Sequence, residues 1–147
     1  MPLRATIAAL CAPALVSTVM ATPAHAALQA TYEQVCPTYT HLPKHDLEIR
    51  DGSTLLGVLM IGMNWGNGRM CLATIKNDRV QRDTIASIVS DSGNNVDRGL
   101  YYEYAGEPCT YPPPKKCSAI YARNQTVEYW GRIDNGVNFG HIFWGNQ

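Results

Sequence analysis

The stretch that most constrains the fold runs from Thr54 to Asn77: "TLLGVLMIGMNW", then "GNG", then "RMCLATIKN". Glycine and asparagine tolerate left-handed backbone angles at little cost, so Gly66-Asn67-Gly68 reads as a hairpin turn. The runs on either side are rich in strand-forming residues and read as its two antiparallel strands. Gly57 and Gly62 lie inside the first run, where they weaken a helix and mark a bulge or a close backbone approach in a strand. On the return strand, a period of two puts Cys71, Ala73 and Ile75 on one face and Met70, Leu72, Thr74 and Lys76 on the other. Cys71 is expected to point inward as a core staple.

The rest of the chain is punctuated by turn residues about every eight to twelve positions. "LEIR" precedes Asp51-Gly52, a second hairpin signal. "RDTIASIVS" fits a strand or a short helical turn, because Ile85, Ile88 and Val89 suit either period, and strand is the favoured reading. "SDSGNNVDRG" reads as a loop and "LYYEYAG" as a half-buried strand. "EPCTYPPPKK" reads as an extended loop, because three consecutive prolines donate no ladder hydrogen bonds. "CSAIYAR", "TVEYWGRI" and "VNFGHIFWG" supply three closing strands, separated by Asn124-Gln125 and by Asp134-Asn135-Gly136. Many short strands with regular turns predict an all-β domain, a small antiparallel sandwich or barrel.

Residues 1–26 read as a secretory signal peptide: Arg4, an apolar run from Ala5 to Ala21, and a small-residue cleavage pattern at Ala24-His25-Ala26. The apolar run is broken by Pro13 and diluted by Ser and Thr, which suits it poorly to a stable membrane span. Cleavage leaves a single domain, 27–147, with no later stretch of membrane length, so a secreted, extracellular location is expected. The mature chain carries eleven Lys and Arg against twelve Asp and Glu. A balance so near neutral gives no field for nucleic acid. Four cysteines remain, Cys36, Cys71, Cys109 and Cys117, none in a C-x-x-C pair, and an even count in an exported chain reads as two disulfides with three possible connectivities.

No catalytic motif is assembled along the chain. His41 and His45 are four apart, but Pro43 lies between them and no H-E-x-x-H glutamate is present, so "HLPKHD" reads as an exposed loop rather than a metal site. His45 and His141, with Lys44, are the nominees for acid and base chemistry in a secreted hydrolase or nuclease toxin. Glu103 and Glu107 form an acidic pair of a kind any chain this size offers. There is no G-x-S-x-G elbow and no phosphate-binding glycine loop, so no catalytic residue, metal or cofactor is assigned. Trp65, Trp130 and Trp144, together with eight tyrosines, are the candidate binding aromatics for a glycan, a protein partner or an inhibited target. Asn124-Gln125-Thr126 fits the N-glycosylation acceptor pattern, for which the turn role suffices.

Several pieces fall in a recognisable order: "CPTY" with Cys36 and Tyr39, "GNGRMCLATIKN", "VDRGLYYEYAG" and "KKCSAIYA". Together they resemble the small secreted actinobacterial proteins called spore-associated protein A, over about Cys36 to Tyr121. The resemblance implies compartment and fold more than function: an exported, disulfide-stabilised β-protein whose biochemical role in the family is undefined. The expectation for this chain is a non-enzymatic protein at or outside the cell surface, its partner unknown, with a cell-surface or spore-surface component as the candidate. Relatives usually carry a fourth cysteine near the C-terminus, whereas "GHIFWGNQ" has none and Cys109 stands in its place. That departure implies Cys109 with Cys117 and Cys36 with Cys71.

The mature protein is expected to begin at Ala27 with no free thiol. Intact mass before and after alkylation checks both, and alkylated cysteines in unreduced protein would remove the two-disulfide reading.

Overall fold

The computed structural model describes residues 28–106 and 118–145, and these form two antiparallel sheets packed as an open sandwich rather than a closed barrel. One sheet holds β1 (Thr40–His41), β2 (Leu47–Asp51), β3 (Thr54–Asn64), β4 (Arg69–Lys76), β7 (Tyr104–Ala105) and β8 (Ala119–Tyr121). The other runs β10 (Gly136–Trp144), β9 (Gln125–Ile133), β5 (Arg82–Ser90), β6 (Gly93–Tyr101). A one-turn helix, α1 (Tyr32–Val35), and a 3-10 turn over Pro43–His45 precede β2. The all-β expectation holds, as do both hairpins and the strand reading of "RDTIASIVS".

The β3–β4 hairpin is buried on both faces, so it needs two covers. Met70 and Leu72 face the other sheet and share the main core with Ile49, Leu59, Ile61, Ile88 and Ile133. Cys71, Ala73 and Ile75 face the opposite way, into a second core with Tyr32, Val35, Cys36, Val58 and Met60. Cys71 is therefore a buried staple, as expected, but on the face turned away from the sandwich interior.

The cover of that second face is α1, which the sequence pass left without structure. Thr31 caps its first turn: the Thr31 hydroxyl accepts from the Gln34 N–H and the Gln34 side chain accepts from the Thr31 N–H. Cys36, at the helix end, is bonded to Cys71. Closing a loop of 35 residues restricts the unfolded chain by about 4 kcal/mol in the entropy model. The Tyr32 hydroxyl donates to the Cys71 carbonyl at 2.8 Å, and burial pushes the phenol's pKa up, keeping it a neutral donor. Gly62 makes room for this ring: a Cβ there would lie 2.5 Å from the Tyr32 oxygen. Gly57 sits at a bulge, where the β2 register shifts between Ile49 and Arg50. Cys109, Cys117 and the proline loop lie outside the described residues.

Where the sheets come closest, hydrogen bonds cross between them. The Thr74 hydroxyl donates to the Ile85 carbonyl at 2.7 Å and the Ser118 hydroxyl to the Ala86 carbonyl at 3.0 Å. Opposite Thr74 stands Gly131 in β9, where a Cβ would approach the Thr74 hydroxyl at 2.5 Å and a Leu59 methyl at 2.7 Å.

Lys76 ends β4 fully buried, its ammonium enclosed by backbone. It donates to the carbonyls of Val80, Tyr101 (3.0 Å) and Tyr102 (2.8 Å), and the Asp78 carboxylate lies at 3.4 Å. Burial draws its pKa down and Asp78 opposes that pull. The clamp ties the end of one sheet to the turn by which β6 of the other sheet passes into β7.

Two expectations along that passage are corrected. "SDSGNNVDRG" is not a loop: only Asp91-Ser92 turn, and Gly93 onward pairs with β5 as β6. Its polar residues are compatible with a strand because they hydrogen-bond neighbouring backbone. The Asn95 side chain donates to the Ala119 carbonyl, and the Asp97 carboxylate accepts from the Tyr101 hydroxyl and from the Gly106 N–H at 2.8 Å. "LYYEYAG" is not one strand either: Leu100 and Tyr101 finish β6, and after a bend at Tyr102-Glu103 the chain crosses to β7 in the other sheet.

Lys76→Met keeps the side-chain length and leaves the buried carbonyls without their donor, so unfolding stability should fall by about 3 kcal/mol. Urea denaturation followed by tryptophan fluorescence checks this, and an unchanged midpoint would deny the clamp any net contribution. Gly131→Ala should cost roughly 1–3 kcal/mol by overpacking, because its Cβ meets a side chain from the facing sheet. The same denaturation experiment reads it, and a stabilised variant would show that the sheets separate freely.

Candidate functional site

Sheet alternation decides which side chains of β10 reach solvent, and here the usual assignment is inverted. Gly136, Asn138 and Gly140 face inward, while Val137, Phe139, His141 and Phe143 face out. The cause is the closeness of β2 and of the neighbouring Tyr129 ring. A Cβ on Gly140 would meet that ring at 2.6 Å and a Leu47 methyl at 2.9 Å, and a Cβ on Gly136 would meet the Arg50 carbonyl at 2.8 Å. Asn138 uses its inward position to donate to the Glu48 carbonyl at 2.8 Å. From Gly136 to Gly140 only small or hydrogen-bonding residues fit inside, so Val137 and Phe139 are turned out, whereas further along the strand Ile142 and Trp144 face inward and pack on the core.

Register then builds the outer face of the four-stranded sheet in rows. Phe139, Trp130, Ser87 and Val96 lie side by side across β10, β9, β5 and β6. On one side runs the row His141, Glu128, Val89 and Asn94; on the other, Val137, Arg132, Ile85 and Arg98. Phe139 is 76% exposed and its neighbour on the strand Val137 57%; Phe143, 66% exposed, lies beyond His141, and Leu100, 63% exposed, stands at the opposite corner of the sheet. Trp130 is half-buried beside Phe139. Between them is a shallow hollow of about 410 Å³, lined also by Glu128, Val137 and His141. Arg132 and Arg98 both reach the Asp83 carboxylate, at 2.5 and 3.4 Å.

The three tryptophans do not converge. Trp130 belongs to this face, whereas Trp144 is buried at the far end of β10. Trp65 sits half-exposed in the β3–β4 turn, edge-on to Trp144 with ring centroids 6.0 Å apart. Arg123 holds that pair, donating to the Trp65 carbonyl at 2.6 Å with its guanidinium 5.9 Å from the Trp144 centroid. Phe139 and Phe143, which carry most of the exposed aromatic surface, were not among the candidate residues. The signal for them was the spacing Val137, Phe139, His141, Phe143 against the small residues between.

The histidines also separate. His141 lines the hollow on the outer face of β10, while His45 lies on the inner side, its carbonyl accepting from the hydroxyl of inward-pointing Tyr129 at 3.0 Å. "HLPKHD" forms a strand end and a 3-10 turn rather than a wholly exposed loop. His41 there pairs with Asp46 at 2.7 Å and stacks on Tyr32. Lys44 is exposed on that turn. Glu103 meets Arg79 at 3.2 Å, and Glu107 lies outside the described residues. Among the described residues, no three His, Cys, Asp or Glu side chains gather as a metal site, and no helix is long and apolar enough to cross a membrane. Asn124 occupies an exposed turn at φ 59°.

No family model, curated protein or solved structure matches this chain, so the functional reading rests on the geometry of the outer face and on the sequence itself.

Proposed function

We propose that this is a non-enzymatic protein of the spore-associated protein A type that acts at or outside the cell surface by binding, with the outer face of the β10-β9-β5-β6 sheet as its working surface. The observation that carries the reading is the outward row of β10: Val137, Phe139 and Phe143 hold apolar surface in water beside the half-buried Trp130. Holding such a patch in solvent is costly unless a partner covers it. The exposed side chains of Phe139, Phe143 and Val137 suit an apolar protein surface, and the Glu128 and His141 that flank them supply polar contacts at its margin. Catalysis by His45 and His141 is disfavoured, because a general acid and base must both reach one reacting group and these two lie on opposite sides of a sheet.

Phe139→Ser combined with Phe143→Ser should abolish retention of the purified protein on the surface of the producing cells while leaving thermal unfolding nearly unchanged, since both side chains are exposed. Retention equal to that of the unsubstituted protein would remove the face from the function. Neither form should cleave RNA, peptidoglycan or simple esters. Cleavage that disappears in His141→Gln would overturn the non-enzymatic reading.

A further inference from the structure

The rows of the outer face have a symmetry that points to what covers them. Glu128 and Arg132 stand two residues either side of Trp130 on the same strand and the same face. Consider a two-fold axis laid along the Phe139, Trp130, Ser87, Val96 row, with a second copy placed face to face. The aromatic row then meets itself, and each flanking row meets the opposite one. Glu128 of each copy lies over Arg132 of the other, twice per pair. His141 meets Val137 and Asn94 meets Arg98, while Ile85 and Ser87 are buried beneath their neighbours within each copy. An axis laid along the strands between β9 and β5 would instead put Glu128 over Val89 and Arg132, which already holds Asp83, over Ile85, so that Glu128 would be covered with no cation facing it, which is unfavourable.

Contacts at both edges of this sheet oppose self-association by strand addition. The free edge of β10 lies along β2, with Asn138 bonded to Glu48, and β6 is tied to β8 through Asn95. Strand addition at either end of the sheet therefore has no clear edge, whereas the outward side chains of β10, β9 and β6 reach solvent above the buried Ile85 and Ser87 of β5. Four strands spaced about 4.8 Å apart, over five outward rows, give a plan area of roughly 500 Å² per copy. Two copies would remove more than about 1,000 Å² from water, the lower range for a specific interface. Both sheets twist in the same hand, and aligned packing of two such faces at about 30° is the usual solution.

We infer that the partner of this face is a second copy of the chain, in an isologous dimer whose centre is the Phe139–Trp130 row and whose register is set by Glu128 against Arg132. This rests on the reading that the face is where the chain meets a partner.

Sedimentation velocity over a concentration series tests it. The unsubstituted protein should pass from monomer to dimer as concentration rises. Glu128→Arg and Arg132→Glu should each weaken the dimer at least about tenfold, because each places like charges together at both contacts. Mixing the two variants should restore association as a heterodimer, since one then carries only positive groups at these positions and the other only negative. Arg132→Glu also sits beside Asp83, so thermal unfolding accompanies each sample. Should that variant unfold, Phe139→Glu provides a second test at a position 76% exposed, and it should be monomeric at every concentration. A chain that stays monomeric throughout overturns the inference, and so does a dimer indifferent to Phe139→Glu. If the chain is monomeric while the double serine variant still loses retention on cells, the face serves a different partner and the binding reading survives. If the dimer forms through this face while retention is unaffected, the inference stands and the face is not what holds the chain to cells.

Discussion

The structure depends on a hairpin that is apolar on both faces. β3 and β4 cannot be satisfied by a single facing sheet, because Val58, Met60, Cys71, Ala73 and Ile75 would remain in water on the far side. The chain supplies the second cover from its own early residues, where one capped turn of helix lays Tyr32 and Val35 on the sheet and the Cys36–Cys71 bond fixes them there. A four-residue helix has no stability of its own. It persists because its cover is linked to the hairpin by a bond that survives unfolding and by a tyrosine hydroxyl on the Cys71 carbonyl. The disulfide thus decides whether the hairpin has one core or two.

Polar contacts do the work at the passages between sheets. Lys76 holds the end of β4 to the bend after β6, and Asp97 holds Tyr101 and Gly106 on the same crossing. Arg82, at the start of β5, bridges Asp78 and Asp134, so the β4–β5 loop and the β9–β10 turn share one guanidinium. These groups lie at one end of the sandwich, where the chain changes sheets and the apolar layers thin out. The stretch "VDRGLYYEYAG" falls on this crossing. Its Asp, Tyr and Gly therefore have a structural role here independent of any partner.

Much of this was legible in the residues. Turn chemistry placed the hairpins at Asp51-Gly52 and Gly66-Asn67-Gly68, and the period of two sorted the faces of β4. Glycines inside β3 announced a bulge and a close approach, and both occur, at Gly57 and at Gly62. Composition misled at β6, because Asp, Ser, Gly and Asn usually mark loops while here their side chains bond to backbone across the sandwich. The direction of Cys71 was beyond reach, since alternation separates two faces without saying which one meets the larger core. The candidate site failed for the same reason: tryptophans were weighed by type, while the exposed surface was decided by which face of β10 each residue took and by β2 and Tyr129 crowding the inner side at Gly136 and Gly140.

That crowding has an evolutionary consequence. On β10 the positions that hold the sandwich together are Gly136, Asn138, Gly140, Ile142 and Trp144, while Val137, Phe139, His141 and Phe143 contribute little to the interior. Fold and recognition are thereby written in alternate letters of one strand. Descendants of this chain can exchange every outward letter, acquiring a different partner or none, while the inward letters stay fixed. Homologues would then share a spaced pattern of small residues rather than any conspicuous motif, and kinship would persist long after the chemistry of the surface had diverged.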